Sequence, residues 1–355
     1  MISKPSPGKI EGQILFIGNL LSHHVGTKGV SEILAEKLGQ RDWQVITTSC
    51  YIGKTRRLVD MLWTIWNCRG QYQVAHIDVF SGSAFFLAEV TSIFLRLLEK
   101  QFILTLRGGR LVEFSKRWQV RVRRLLTKAD VVTTPSHFLK ANLQGFRDDI
   151  LYIPNGMDSS AYTLKLRRNP SPKLIWLRAF HEIYHPIMAV EVMDVLRDTF
   201  PDIHLIMIGP DKKDGSFESV QRLATAKGLQ SWIEFVGSVP KNDVPLWLQK
   251  GDIFLNTTRY ESFGVSVMEA AACGLPVVST NVGEIPFLWE DGEDILLVPS
   301  GDSEAMANAV KRILTEPRLT ERLSSNARKK AEGFDWSFIL PRWEQSFAQL
   351  LEQEG

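Results

Sequence analysis

The feature that most constrains this chain is a repeated alternation of short apolar runs, many ending at a glycine or polar turn, with longer amphipathic stretches. The first run, residues 13–18, leads through a loop at 19–28 into a helical stretch at 29–40. Runs at 45–48, 74–79, 102–106, 131–134 and 151–153 repeat the pattern. Strands buried on both faces read as continuous apolar runs, and strands separated by helices call for a parallel sheet covered on both sides. A charged, proline-containing stretch without periodicity, residues 167–172, interrupts the series as a linker would. The alternation restarts with runs at 174–177, 204–209, 233–237, 253–256 and 276–279. The expected fold is therefore α/β, with two doubly wound domains, residues 1–165 and 166–335, facing a cleft. Ligands of open α/β sheets bind outside the carboxyl ends of the strands. Residues 336–355 place Ile339, Trp343, Phe347 and Leu350 on one helical face, which predicts a helix crossing back onto the first domain.

Composition narrows the function classes. A length of 355 residues suits two domains of ordinary size, and a net charge of +2 gives no overall basic field for nucleic acid. Cys50, Cys68 and Cys273 lie far apart with no paired-cysteine or Cys/His spacing. No disulfide framework or zinc site is expected, and a reducing cytosol fits best. The polar first dozen residues, with Pro5 and Pro7, do not read as a signal peptide. Charge interrupts every apolar run before it reaches membrane-spanning length. The expected location is cytoplasmic.

The most informative stretch is 259–270, Arg-Tyr-Glu-Ser-Phe-Gly-Val-Ser-Val-Met-Glu-Ala. It follows one strand and opens an apolar helix. A helix start carries unpaired N–H groups and a positive end, which favour phosphate, and Gly264 lets an anion approach the main chain. Glu261 stands at the turn. Glu269, eight residues later, returns to within about 80° of the same face. Two readings are open at this point: a pair of ligand-binding carboxylates, or an acidic helix cap plus one exposed or paired Glu. Glu269 precedes Ala270-Ala271-Ala272-Cys273-Gly274, and a carboxylate among small apolar residues needs a partner.

Glu261 to Glu269 resembles the E-x7-E motif of the retaining glycosyltransferases of family GT4, which have the GT-B fold of two Rossmann-like domains. The likeness extends through Gly274-Leu275-Pro276-Val277-Val278, Gly283-Glu284-Ile285-Pro286, Asp291-Gly292 and Gly301-Asp302. Ile153-Pro154-Asn155-Gly156-Met157-Asp158 is similar to the element that ends the family's first domain, and Phe334-Asp335-Trp336 to the start of its terminal helix.

The resemblance implies a nucleotide-sugar donor, a glycan or lipid-linked acceptor, and neither cofactor nor metal. It implies that Glu269 holds the ribose and Glu261 the donor sugar, with the backbone at Ser262, Phe263 and Gly264 near the diphosphate. It places Arg178 where the family stabilises the departing diphosphate, a task for fixed positive charge. Gly209 and Gly237 fall at base-pocket loops, with a simple turn as the other reading. Gly29, closing Gly26-Thr27-Lys28-Gly29, is a candidate for reaching the phosphate from the first domain. Two departures stand out. No lysine follows Arg178 within residues 179–186, where His181 and His185 are the possible substitutes. The family's acceptor-facing histidine is replaced by Arg107, before Gly108 and Gly109, and arginine cannot act as a base.

Lys116, Arg117, Arg121, Arg123, Arg124 and Lys128 share one predicted helix with Phe114, Trp118 and Val122. Lys54, Arg56 and Arg57 precede Met61, Trp63 and Trp66 in a second such stretch. Both patterns fit an ordinary helix with a solvated basic face, and both fit peripheral contact with an anionic membrane. Two rivals accompany the transferase reading: a nucleotide-sugar epimerase of the same fold, and an inactive relative that serves in binding or assembly.

Overall fold

The computed structural model describes residues 13–21 and 28–352. The chain divides into two compact units, Met1–Gly156 together with Trp336–Gly355, and Met157–Asp335. In the first unit the order is β1 (Gln13–Ile17), α1 (Val30–Gly39), β2 (Gln44–Thr48), α2 (Lys54–Asn67), β3 (Val74–Val79), α3 (Ser83–Leu97) and β4 (Gln101–Leu106). It continues with α4 (Leu111–Arg117), α5 (Gln119–Lys128), β5 (Val131–Thr134), α6 (His137–Leu143) and β6 (Leu151–Tyr152). All pairings in this sheet are parallel, in the order β2-β1-β3-β4-β5-β6.

Residues of β1 show why the apolar runs are continuous. Leu15 and Ile17 enter the core that holds α2, α3 and α5, while Ile14 and Phe16 enter the core on the opposite face with α1. The four residues Ile14 to Ile17 are all buried, but on alternate sides, as the pleat requires.

The second unit runs β7 (Lys173–Leu177), α7 (Pro186–Leu196), β8 (His204–Ile208), α8 (Ser216–Ala226), β9 (Ile233–Gly237), α9 (Val244–Leu248) and β10 (Ile253–Asn256). It ends with α10 (Val265–Ala272), β11 (Val277–Thr280), α11 (Ile285–Leu288), β12 (Leu296–Val298), α12 (Ser303–Thr315) and α13 (Pro317–Glu332). The sheet order is β12-β11-β10-β7-β8-β9, again parallel throughout. The chain winds outward from β7 through β8 to β9, then returns to place β10 on the other side of β7. The gap between the carboxyl ends of β7 and β10 is the point where an open α/β sheet admits a ligand.

The last helix, α14 (Trp336–Glu352), returns to the first unit. Ile339, Trp343, Phe347 and Leu350 join the core formed by Ile14, Phe16 and Leu34, as the helical stripe predicts. The Phe347 ring lies 6.1 Å from Phe16 and 6.0 Å from Trp43.

Three features differ from the sequence reading. β12 is a three-residue strand too short to stand out as an apolar run. Residues 167–172 were expected as a linker, but Arg167 is buried, and its guanidinium donates to the carbonyls of Lys165, Gly251 and Cys273. Cys273 caps the C-terminal end of α10, where a cation complements the helix dipole. The expected single helix through 114–128 breaks at Trp118, whose φ of −122° and ψ of 46° are not helical. The cations on its two sides therefore do not form one continuous stripe.

His76 of β3 shows how tightly α14 is joined to the sheet. It is fully buried, its ring lies 4.6 Å from Phe16 and 5.5 Å from Trp343, and Nε2 bonds Thr105 Oγ1 at 2.8 Å. Burial pushes its pKa down to about 4, with Asp78 opposing the shift and Arg107 reinforcing it. The folded state thus binds its proton later than the unfolded chain, so stability is complete above pH 6.5 and falls as pH drops toward 4. The span from 6.5 to about 4 corresponds to about 3 kcal/mol. Urea unfolding between pH 7 and 4.5 should show this loss, and a His76→Phe variant should show a shallower slope.

Candidate functional site

The β7/β10 gap is built from backbone ties before any charged group is considered. Arg178 N–H extends the β7 ladder to Ile208 O at 3.0 Å, which fixes the first residue beyond the strand. Gly209 approaches it so closely that a Cβ there would lie 1.7 Å from Arg178 O; only glycine fits. After β10, Thr257 Oγ1 accepts from the buried Trp176 Nε1 at 2.9 Å and donates to Tyr184 O at 2.7 Å. Arg259 N–H bonds Ile183 O at 2.7 Å. The loops following β7 and β10 are thereby stitched together.

Arg178 and Glu261 meet across that seam. Their side chains are 13% and 8% exposed and form an ion pair through Arg178 Nη2 and Glu261 Oε2. Glu261 Oε1 accepts from the N–H groups of Ser262 at 3.1 Å and Phe263 at 3.3 Å. One carboxylate therefore organises the turn and orients the arginine. The Arg178 plane also lies 5.2 Å from the Tyr184 ring centroid, while its Nε is buried with no partner among the described residues. Gly283 closes the other side: a Cβ would fall 1.8 Å from Glu261 O, and the neighbouring Glu284 N–H bonds that oxygen at 3.1 Å.

Gly264, at φ +93°, turns the chain into α10. The ring of Phe263 is buried, 5.8 Å from Phe334, and its N–H serves Glu261. The donors that α10 turns toward solvent or a ligand are accordingly those of its first turn, which an α-helix leaves without intrahelical partners. Glu269, midway along α10, is buried. Its Oε1 accepts from Tyr162 Oη at 2.8 Å and also from Lys241 Nζ. Burial and the adjacent carboxylate hold the Tyr162 hydroxyl far above its ordinary pKa, so it remains a donor. Both donors engage the same oxygen of Glu269.

Nothing in the sequence singles out Tyr162 and Lys241. Tyr162 follows the Ile153–Asp158 element by four residues and Lys241 follows β9 by four; neither sits in a motif. Glu261 and Glu269 both prove to be paired, with Arg178 and Lys241 respectively. Gly237 O accepts from Gly209 N–H at 2.8 Å, which joins the β8 and β9 turns.

Of the two histidines after Arg178, His185 is pushed below its ordinary pKa by burial and by Arg259. His181 Nδ1 accepts from Ile183 N–H at 3.1 Å, and its Nε2 lies 3.7 Å from Asp214.

In the first unit, Arg107 is almost fully buried. It pairs with Asp78 at 2.6 Å, and donates to Asn155 Oδ1 at 2.9 Å and Ser31 Oγ at 3.3 Å. Burial alone would raise the Asp78 carboxyl, but Arg107, His76 and the Ser31 bond hold it below the usual range. The guanidinium thus ties the ends of β3 and β4 to α1 and to the Asn155 loop. Gly108, at φ +85°, and Gly109 lead from it into α4. Gly29 N–H bonds Glu32 Oε2 at 2.5 Å, within the first turn of its own helix. Gly26 and Thr27 lie outside the described residues. Among the described residues, no group of three or more His, Cys, Asp or Glu gathers as a metal site, and no helix is long and apolar enough to cross a membrane.

Two parallel-sheet units with a C-terminal helix returning to the first define the architecture of the GT-B glycosyltransferases. Residues 165–330, within the second unit, match the family model described as glycosyl transferases group 1. Sucrose-phosphate synthase from Thermosynechococcus elongatus superposes with a TM-score of 0.82 at 20% identity, covering 97% of this chain and 100% of that one. The Anabaena protein Alr3699/HepE, solved with UDP, superposes with a TM-score of 0.73 at 17% identity over 95% and 100%. At these identities the likeness is one of fold. Phosphatidyl-myo-inositol mannosyltransferase of Mycobacterium leprae is 26% identical over 203 residues. That match spans 56% of this chain and 53% of the relative, about half its length.

The double engagement of Glu269 has a measurable consequence. Tyr162→Phe removes one donor from a buried carboxylate and should lower unfolding stability by about 1.5–3 kcal/mol in urea titrations.

Proposed function

We propose that this chain is a retaining glycosyltransferase that moves a sugar from a UDP- or GDP-linked donor to a hydroxyl of a glycan or lipid-linked acceptor. The observation that carries the reading is Arg178, held at the β7/β10 gap by Glu261 with its Nε unpartnered. A fixed cation beside a helix start is what a departing diphosphate requires. Arg178 and the first turn of α10 take the charge of the leaving group, and Glu261 bonds the donor sugar. Glu269, with one oxygen pinned by Tyr162 and Lys241, offers the other to the ribose hydroxyls.

The step balances without a separate base. The bond from the anomeric carbon to the phosphate oxygen breaks, and its electron pair goes to the nucleoside diphosphate. The acceptor oxygen bonds the same face of that carbon, and its proton passes to the leaving phosphate oxygen. Arg107 has no proton-accepting role in this scheme, in keeping with its engagement by Asp78. Because Arg178 and α10 supply the positive charge, the reading requires no divalent ion. A lipid-linked acceptor draws support from the relative named for phosphatidyl-myo-inositol, and UDP from the fold relative solved with it.

Calorimetric titration of UDP and GDP in the presence of EDTA tests this. One of the two should bind the wild type, and Glu269→Ala should weaken it at least about tenfold, each charge-assisted hydrogen bond contributing about 1.5–3 kcal/mol. Arg178→Ala should weaken the diphosphate more than the nucleoside. Binding with no transfer to any acceptor would favour a non-catalytic role in assembly. Failure of both nucleotides to bind would overturn the proposal.

A further inference from the structure

The first unit carries an exposed face that its fold leaves uncovered. α2, α3 and α5 contribute to the same core on one side of the sheet, and their outer surfaces adjoin. The Trp66 ring of α2 lies 6.4 Å from Phe94 of α3, and Arg121 of α5 pairs with Glu89 of α3. On α2, Val59, Trp63 and Trp66 recur at helical spacing and are 67%, 61% and 50% exposed. On α3, Phe86, Ile93 and Leu97 form a second stripe, with Leu97 75% exposed. Trp118, which begins α5, completes the set. Among the described residues, the three exposed tryptophans all belong to this face. A soluble surface scatters such side chains singly, and their concentration marks a contact surface.

Charge says what that surface meets. Apart from the buried Arg57, the three helices hold seven lysines and arginines and two acids, Asp60 and Glu89. Both acids are engaged: Asp60 accepts from Thr48 Oγ1 at 3.0 Å, and Glu89 is taken by Arg121. The α2 stripe is bounded by cations, with Arg56 one turn before Val59 and Arg69 stacked 4.2 Å over Trp66. On α5 the exposed Arg124 follows Arg121 by one turn, and Arg117 flanks Trp118 at 5.7 Å.

We infer that this face docks on an anionic lipid bilayer, with the tryptophans and aliphatics entering the headgroup boundary and the arginines on phosphate. Tryptophan with a polar edge suits that boundary, and arginine stems extend to it while keeping the charge hydrated. The expected single amphipathic helix at 114–128 is not the docking element. Three helices share the task, and the break at Trp118 leaves that ring on the outer surface. The inference refines the lipid-linked arm of the proposed function, but it stands on the first unit alone.

Flotation of the full chain with vesicles tests it, comparing phosphatidylcholine alone with phosphatidylcholine mixed with phosphatidylglycerol. The protein should bind the mixed vesicles, less so as salt rises. Arg56→Glu with Arg69→Glu should weaken that binding at least about tenfold, a cation near such a surface being worth about 1 kcal/mol. Trp63→Ser with Trp66→Ser should reduce it comparably, while both variants retain wild-type nucleotide titration. No binding to mixed vesicles, or unchanged binding by the tryptophan variant, overturns the inference. So does a wild-type dimer that the tryptophan variant converts to monomer without vesicle binding, since the face then belongs to a second copy. Loss of nucleotide binding in the wild type would fail the donor reading separately, leaving the vesicle result to stand by itself.

Discussion

The ion pair between Arg178 and Glu261 is the interaction on which the second unit's site depends. Two loops leave the sheet from adjacent strands that are distant in sequence, and this pair joins them just beyond β7 and β10. Such a pair is not chiefly a source of stability. Taking both charges from water costs about what their attraction returns, whereas removing one partner costs about 3–5 kcal/mol. Its consequence is positional. Glu261 binds two backbone N–H groups with one oxygen and the arginine with the other, so the guanidinium cannot move without disturbing the turn that starts α10.

Glu269, midway along the same helix, is held in a similar way. Tyr162 and Lys241 converge on a single oxygen, which sets the carboxylate plane. The burial of α10 from Ser266 to Ala272 gives both carboxylates a rigid support, and Arg167 anchors its C-terminal end. The first unit uses a similar pairing differently. There Arg107 and Asp78, with Ser31 and Asn155, hold strand ends to a helix and to the loop before Met157, which makes that arginine a structural brace.

Much of this was legible in the sequence because parallel strands are apolar throughout and end abruptly. β1, β3, β4 and β10 stand within a residue of their expected limits, and the α14 stripe at Ile339, Trp343 and Phe347 packs where its spacing says it should. The turn at Glu261 and Gly264 and the helix that carries Glu269 were readable from local spacing, whereas the roles of the two carboxylates rest on the family resemblance. Arg107 was recognised as a departure, but its partner was not, since Asp78 and Asn155 reach it only through sheet order. Tyr162 and Lys241 were invisible for the same reason: each comes from a loop with no periodicity, and tertiary folding alone brings them to Glu269. Residues 167–172 misled because a charged segment with two prolines has linker composition, while the burial of Arg167 depends on carbonyls from Gly251 and Cys273.

Hydrogen–deuterium exchange with and without saturating UDP or GDP reports whether the nucleotide is held at the start of α10. Protection should concentrate in the second unit, at the turn from Glu261 into the first turn of α10 and in the segment after β7. Protection confined to the first unit around Arg107, or absent everywhere with both nucleotides, would contradict that placement.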